Sequence, residues 1–291
     1  MDYHKDRFQD FSLFVYREEK LLALLPANFN DTIIYSHQGL SFGGMLLANN
    51  TTFEEAKNCF KTILSFLETK KIETLQLKLL PKIYQLLPSD EIDYLLFKVE
   101  AKNTRRDITS VIENSNKLPI TSSNRKRGIK KAIKNNLMIK EEDNFEGFWN
   151  EILIPNLQEA HKTKPVHALA EITLLKSKFQ NNIKQFNVYY EANLLAGITI
   201  FESETVAHIQ YISANNEGKR LGSLDFLVNF LINEKYADKK YFDFGISNEN
   251  QGKQINKGLV NWKESFGARS VVHDFYEIET KNHQLLNNLY L

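Results

Sequence analysis

Residues 186–212 hold three apolar runs separated by three-residue turns, and this spacing constrains the fold more than any other feature of the chain. Phe186, Val188 and Tyr190 alternate with other residues. The run 194–201 is nearly all apolar, with Gly197 inside it. Residues 206–212 alternate again through His208 and Gln210. Turns as short as Glu191-Ala192-Asn193 and Glu202-Ser203-Glu204 join antiparallel neighbours, because a parallel crossover needs roughly a dozen residues or more. After Ser213 the pattern changes. A glycine-punctuated polar loop, 215–222, runs straight into a helical stripe of Leu224, Leu227, Val228, Leu231 and Ile232. A strand over 240–245, a polar loop, a helix carrying Ile255, Leu259, Trp262 and Phe266, and a strand over 269–278 follow. A meander followed by strand, loop, helix and strand predicts an α/β protein with a mixed sheet.

The chain before the meander is shorter in its signals. Short β-like runs occur at 33–35 and 40–47. Thr52 and Glu55 have capping-box spacing, and Phe53, Ala56, Phe60, Ile63, Leu64 and Leu67 follow at helical spacing. Cys59 falls within that stripe and reads as a core residue. Leu75, Leu77 and Leu79 alternate as a strand. Residues 90–99 read as a helix and 107–112 as a strand. Asp143 and Glu146 have capping-box spacing ahead of Phe145, Phe148, Trp149 and Ile152, and Leu169, Ile172, Leu175 and Phe179 mark a further helix.

At 291 residues the chain exceeds the common domain size of about 100–150, which predicts two domains. Charge suggests where they meet. Residues 98–140 hold twelve Lys/Arg against three Asp/Glu, a local excess of nine in a chain of net charge +1. The remainder therefore carries an excess of eight acids. The helix expected over 125–135 holds half of these cations, and the boundary is placed just after it: 1–140 and 141–291.

Composition excludes several classes. The near-zero net charge argues against a wholesale polyanion binder. With one cysteine the chain forms no intramolecular disulfide, which fits a reducing compartment. The N-terminus is charged throughout and lacks a signal-peptide core, and no apolar run is long enough to span a bilayer. The expectation is a cytoplasmic protein of bacterial type. His167, His273 and the carboxylates lack metal-ligand spacing, so no metal is expected.

The junction at 218–223 is the strongest local candidate for chemistry. Backbone N–H groups at a helix start, with glycine allowing close approach, suit a pyrophosphate, and Lys219 and Arg220 add charge. The alternative is that Gly218 and Gly222 are turn residues and the two cations are solvated.

Two further stretches carry a family resemblance. These are Tyr241-Phe242-Asp243-Phe244-Gly245-Ile246-Ser247 and Gly258-Leu259-Val260-Asn261-Trp262-Lys263-Glu264-Ser265-Phe266-Gly267. Together with the order of elements, they resemble the GNAT N-acyltransferase superfamily, in its Fem-type branch of tandem-GNAT peptidoglycan-bridge aminoacyltransferases. Arg127-Gly128-Ile129-Lys130-Lys131-Ala132 is similar to the basic helix joining that family's two halves. The likeness covers roughly residues 100–278 well and 1–100 weakly. Lys219-Arg220-Leu221-Gly222-Ser223-Leu224 departs from the usual GNAT loop by a Lys in the first place and a Leu in the last.

The resemblance implies two tandem GNAT-like domains, the first without a donor site, and transfer of an acyl group to an amine. The acyl carrier would lie on the backbone of Gly218, Lys219, Arg220, Leu221, Gly222 and Ser223. A splayed strand around Tyr211, Ile212 and Ser213 would hold the acyl carbonyl. Lys263 would face acyl or phosphate oxygens, Asp243 would bind the acceptor amine or accept its proton, and His161, in a loop before Pro165, would border the acceptor. The family's usual acid tyrosine has no counterpart in 246–255. Direct attack by an amine needs no enzyme nucleophile, only a base, an oxyanion site and a proton for the leaving group. The donor is read as acetyl-CoA or another acyl-CoA, ahead of aminoacyl-tRNA bound through the basic 98–140 segment. The acceptor is an amine on a sugar, an amino acid or a cell-envelope precursor. A non-catalytic binding protein that keeps the fold is the reading from outside enzymes.

Overall fold

The meander forms where the spacing puts it. In the computed structural model, which describes residues 2–290, the strands Ile183–Tyr190, Asn193–Glu202 and Val206–Ala214 pair antiparallel in sequence order. Met138–Glu142 adds antiparallel to the first of them. Tyr241–Ile246 pairs parallel with the third and antiparallel with the latter part of Lys102–Glu113. These elements belong to a unit formed by residues 109–247 and 255–271. Its main core joins Ile198, Ile200, Ala207 and Phe242 of the strands to Leu227, Val228 and Leu231 of the following helix. A second cluster sets Phe148, Trp149 and Ile152 against Tyr211 and Ile172. Each Leu, Ile, Val or Phe among these contributes about 1.5–3 kcal/mol when fully buried. Pro155 does not end the helix over 146–161. It has no N–H to give the preceding turn, and the ladder widens to a π-type spacing over Phe148–Leu153 before Ile154–His161 continues.

The other unit takes the residues up to 108, 248–254 and those from 272 onward. Its sheet runs in the order Gln9–Asp10, Asn28–Asn30, Ile33–Tyr35, Thr74–Lys78 and Arg269–Glu279. Ile33–Tyr35 and Thr74–Lys78 are parallel, and the helix Phe53–Thr69 lies in the crossover between them. That helix opens on the expected capping box: the Glu55 N–H donates to Thr52 Oγ1 at 3.3 Å, and the Thr52 N–H donates to Glu55 Oε2 at 2.8 Å. Its face of Phe60, Ile63, Leu64 and Leu67, with Cys59, is buried against Leu75, Leu77, Leu95 and Leu96. Leu13–Arg17, Lys20–Leu25 and Leu46–Leu47 make a small separate sheet.

The structure corrects three expectations. The units do not divide at residue 140. The basic helix Ser123–Lys134 belongs with the meander, because its Gly128 packs on Gly222 and its Arg125 pairs with Asp225, and the chain returns to the first unit after 271. The cap at Glu146 comes from Asn144 Oδ1, which accepts its N–H at 2.8 Å, while Asp143 pairs with Lys176 at 2.8 Å. Residues 215–222 are largely helical, as Asn216–Leu221.

Candidate active site

The parallel strands Val206–Ala214 and Tyr241–Ile246 stay in register for three positions, ending at His208 opposite Asp243. Gly245 then takes φ +77°, a conformation that favours glycine, and the strands part. At the last paired position His208 Nδ1 lies 2.8 Å from Asp243 Oδ2. Thr109 Oγ1 donates to the other carboxylate oxygen, and the Gly245 N–H donates to it at 2.9 Å. Asp243 is 1% exposed. Burial alone would raise its carboxyl. The His208 imidazole, the Thr109 hydroxyl and the Gly245 amide outweigh burial and hold it below the ordinary carboxylate value. An ionised Asp243 takes the Nδ1–H of His208 and leaves the imidazole's basic lone pair on Nε2. This is the arrangement of a base oriented by a carboxylate.

Lys263 supports this fork from below. It is 3% exposed, and its ammonium donates to the carbonyls of Gly245 and Ile246 at 2.7 and 2.8 Å and to Ser247 Oγ at 2.9 Å. All three hydrogens are thereby placed, so Lys263 does not face an acyl or phosphate oxygen as expected. It fixes the turn that parts the strands. Burial pushes its amine down to about 8, against the pull of Asp243.

The junction at 218–223 differs most from its expected role. Asn215 caps the short helix: its Oδ1 accepts the Gly218 N–H at 2.8 Å and its carbonyl accepts the Lys219 N–H at 3.0 Å. The Gly222 N–H donates back into the same turn. Gly218 lies on the Leu195 carbonyl and Gly222 on the Gly128 backbone, where added Cβ atoms would stand 2.4 and 2.5 Å from oxygen. Leu221 and Ser223 are buried, whereas Lys219 and Arg220 are exposed, Arg220 reaching Glu217 at 3.3 Å. The glycines serve packing here, and the amides of Gly218, Lys219 and Gly222 are already spent on protein acceptors.

The remaining candidates scatter. Tyr211 is buried against Trp149, and its hydroxyl accepts the His167 N–H at 3.0 Å and meets His167 Nδ1 at 2.6 Å. Ile212 pairs with Ile198 in the sheet. Ser213 Oγ accepts from Asn156 at 2.7 Å. His161 closes the helix Ile154–His161, and its side chain lies outside the described residues. Of the expected side chains among the described residues, only Asp243 stands in the fork itself, with Lys263 beside it. Thr109 and His208 are not among the site residues the sequence suggests. A polar residue at an alternating position of a strand otherwise buried was the signal for His208. Among the described residues, no three His, Cys, Asp or Glu side chains group to hold a metal ion, and no helix is long and apolar enough to cross a membrane.

The chain matches no protein-family model and no curated protein sequence. Solved structures do resemble it. FemX superposes with a TM-score of 0.67 at 10% identity, over 98% of this chain and 92% of that one. The C-terminal domain of a putative lysylphosphatidylglycerol synthetase from Agrobacterium fabrum gives 0.60 at 10% identity, over 98% and 92%. A tandem GNAT protein from the clavulanic acid biosynthesis pathway gives 0.50 at 10% identity, over 92% and 82%. The chain has a GNAT-like fold of the Fem type.

Proposed function

We propose that this chain transfers an acyl group to an amine at the fork. The observation that carries the reading is the His208–Asp243 pair at the last register position before the parallel strands part. The imidazole takes a proton from the attacking amine as the carbon–nitrogen bond forms. Asp243 steadies the imidazolium, and backbone N–H groups of the strand beyond His208 receive the developing oxyanion. The leaving group then departs with a proton returned by the imidazole. Lys263 acts through the turn it holds, as a positioning residue. His208→Gln should lower transfer by about 10²–10⁴-fold with the fold intact. A non-catalytic protein of this fold would show no transfer to lose, and that result ends the proposal.

One observation bears on the donor. The spent amides at 218, 219 and 222 weigh against an acyl-CoA pyrophosphate at that junction. The helix Ser123–Lys134, by contrast, exposes Lys126, Arg127, Lys130, Lys131 and Lys134. This supports an aminoacyl ester carried on RNA over a CoA thioester. RNA binding through these cations should weaken steeply with salt. Salt-independent stabilisation by acetyl-CoA, with no retention of charged tRNA, would restore the thioester reading. The acceptor is read as a small-molecule amine or an amine on a cell-envelope precursor. The compartment proposed is the cytoplasm, on the single buried Cys59.

A further inference from the structure

Lys78 ends the strand Thr74–Lys78 at a cavity of about 550 Å³ in the unit that holds residues up to 108. Its main chain is fully used: the N–H donates to Ser36 Oγ at 2.7 Å, and the carbonyl accepts from Gly43 at 2.9 Å. Its side chain is not. One ammonium hydrogen goes to the Leu40 carbonyl at 2.7 Å, and among the described residues no carboxylate lies within ion-pair distance.

Arg105 lines the same cavity. It gives its Nε and Nη2 to Asp107, at 3.1 and 2.7 Å, and keeps Nη1. Asp107 is 1% exposed, so this pair is fixed in place. One ring receives both cations: the Phe275 centroid is 4.6 Å from the Arg105 guanidinium carbon and 5.8 Å from Lys78 Nζ. The cavity thus gathers two cations for a single buried carboxylate. Glu277, also at its wall, accepts from Gln76 at 3.3 Å.

Withdrawing an ammonium from water without a counter-charge is costly. Burial and then the Arg105 charge push the Lys78 amine down to about 8, with Asp107 pulling the other way. His37 at the cavity wall and His273 behind it complete the titratable surroundings, and both are held below the ordinary imidazole value, chiefly by burial.

We propose that this cavity is an oxyanion site in which Lys78 Nζ and Arg105 Nη1 grip a phosphate group, with the Phe275 ring as the apolar wall for the rest of the ligand. A phosphate oxygen supplies the partner that Lys78 lacks and uses the guanidinium edge that Asp107 leaves over. It also restores full charge to the amine, so binding draws a proton from solvent. The inference does not use the fork and stands whether or not acyl transfer is found there.

Calorimetry on the full chain with inorganic phosphate and with pyrophosphate tests it. The titration is run at the pH where Lys78 is half-charged, about 8, in two buffers of different ionisation enthalpy. A parallel arm measures retention on phosphatidylcholine vesicles with and without phosphatidylglycerol, which separates a soluble phosphate from a lipid headgroup. Binding in either arm, with uptake of up to about half a proton per soluble anion, is the expected result. Lys78→Met should weaken binding about tenfold or more, whereas Lys78→Arg should keep it and abolish the proton uptake. No binding in both arms, binding unchanged in Lys78→Met, or soluble-anion binding without proton uptake would each overturn the proposal. Should Lys78→Met fail to fold, Lys78→Arg and the wild-type proton count decide the matter.

Discussion

Gly222 rests directly on the backbone of Gly128: a Cβ added to Gly222 would stand 2.5 Å from the Gly128 carbonyl oxygen. This contact brings the basic helix Ser123–Lys134 onto the start of Ser223–Phe230, where Arg125 pairs with Asp225. The two glycines therefore close the junction that sequence suggested for an acyl carrier. Gly222→Ala should cost roughly 2–4 kcal/mol, from backbone overlap and from φ +78°, which alanine rarely adopts. Gly128→Ala should cost less, about 1–3 kcal/mol, because its Cβ meets the Asp225 carboxylate and not backbone. Urea unfolding of both variants measures this, and unchanged midpoints would remove the packing argument.

Lys263→Met should lower stability by roughly 2–4 kcal/mol, because it leaves the Gly245 and Ile246 carbonyls and the Ser247 hydroxyl without their buried donor. Its pH signature is distinctive. The folded amine gives up its proton near 8 and the unfolded one near 10.5, so between these values the unfolded chain binds more protons. The contribution of Lys263 to stability should therefore rise with pH across that window, and Lys78 should act in the same sense. Denaturation at both ends of the window, compared with Lys263→Met, isolates the slope. A wild-type and variant that share one slope would contradict the assignment.

Acid should destabilise the protein through imidazoles. His273 is 4% exposed, packs on Phe42 and Phe275, and has a buried Nε2 without a hydrogen-bond partner. Burial, then Lys78, push its pKa from 6.5 to about 4. The folded state thus binds fewer protons in this range, and stability falls as pH drops from 6.5 to 4, by about 3 kcal/mol from this residue. His4 and His37, also held low, add in the same direction. His273→Phe should flatten the acid limb of a stability–pH curve, and an unaltered limb would refute the account.

Sequence carried the parts of this fold that rest on local rules. Period-two alternation at 186–190 and 206–212, with a nearly continuous apolar run at 194–201, marks the strands of the meander, and Thr52 with Glu55 marks a helix start. The strands within residues 9–30 went unread because they are short and lack a sustained pattern. The junction 215–223 has two readings in sequence because a glycine needed for close packing and one needed for phosphate approach look alike. Only the fold shows that Gly222 has Gly128 beside it. Asp243 was found from its motif, but its partner His208 depends on parallel register between strands that are distant in the chain. Lys263 was noticed for its motif, yet nothing in a helical pattern says that three acceptors from 245–247 await its ammonium.

The most direct test of the central claim uses hydroxylamine as a small generic amine. The protein is incubated with it and with charged total tRNA or an acyl-CoA mixture, and hydroxamate formation is measured for wild type, His208→Gln and Asp243→Asn. The account predicts hydroxamate above the uncatalysed rate, from charged tRNA in preference to acyl-CoA, falling by about 10²–10⁴-fold in His208→Gln and also falling in Asp243→Asn, with the folded state of both confirmed by circular dichroism. Hydroxamate at the background rate from every donor, or equal rates in wild type and His208→Gln, would contradict it.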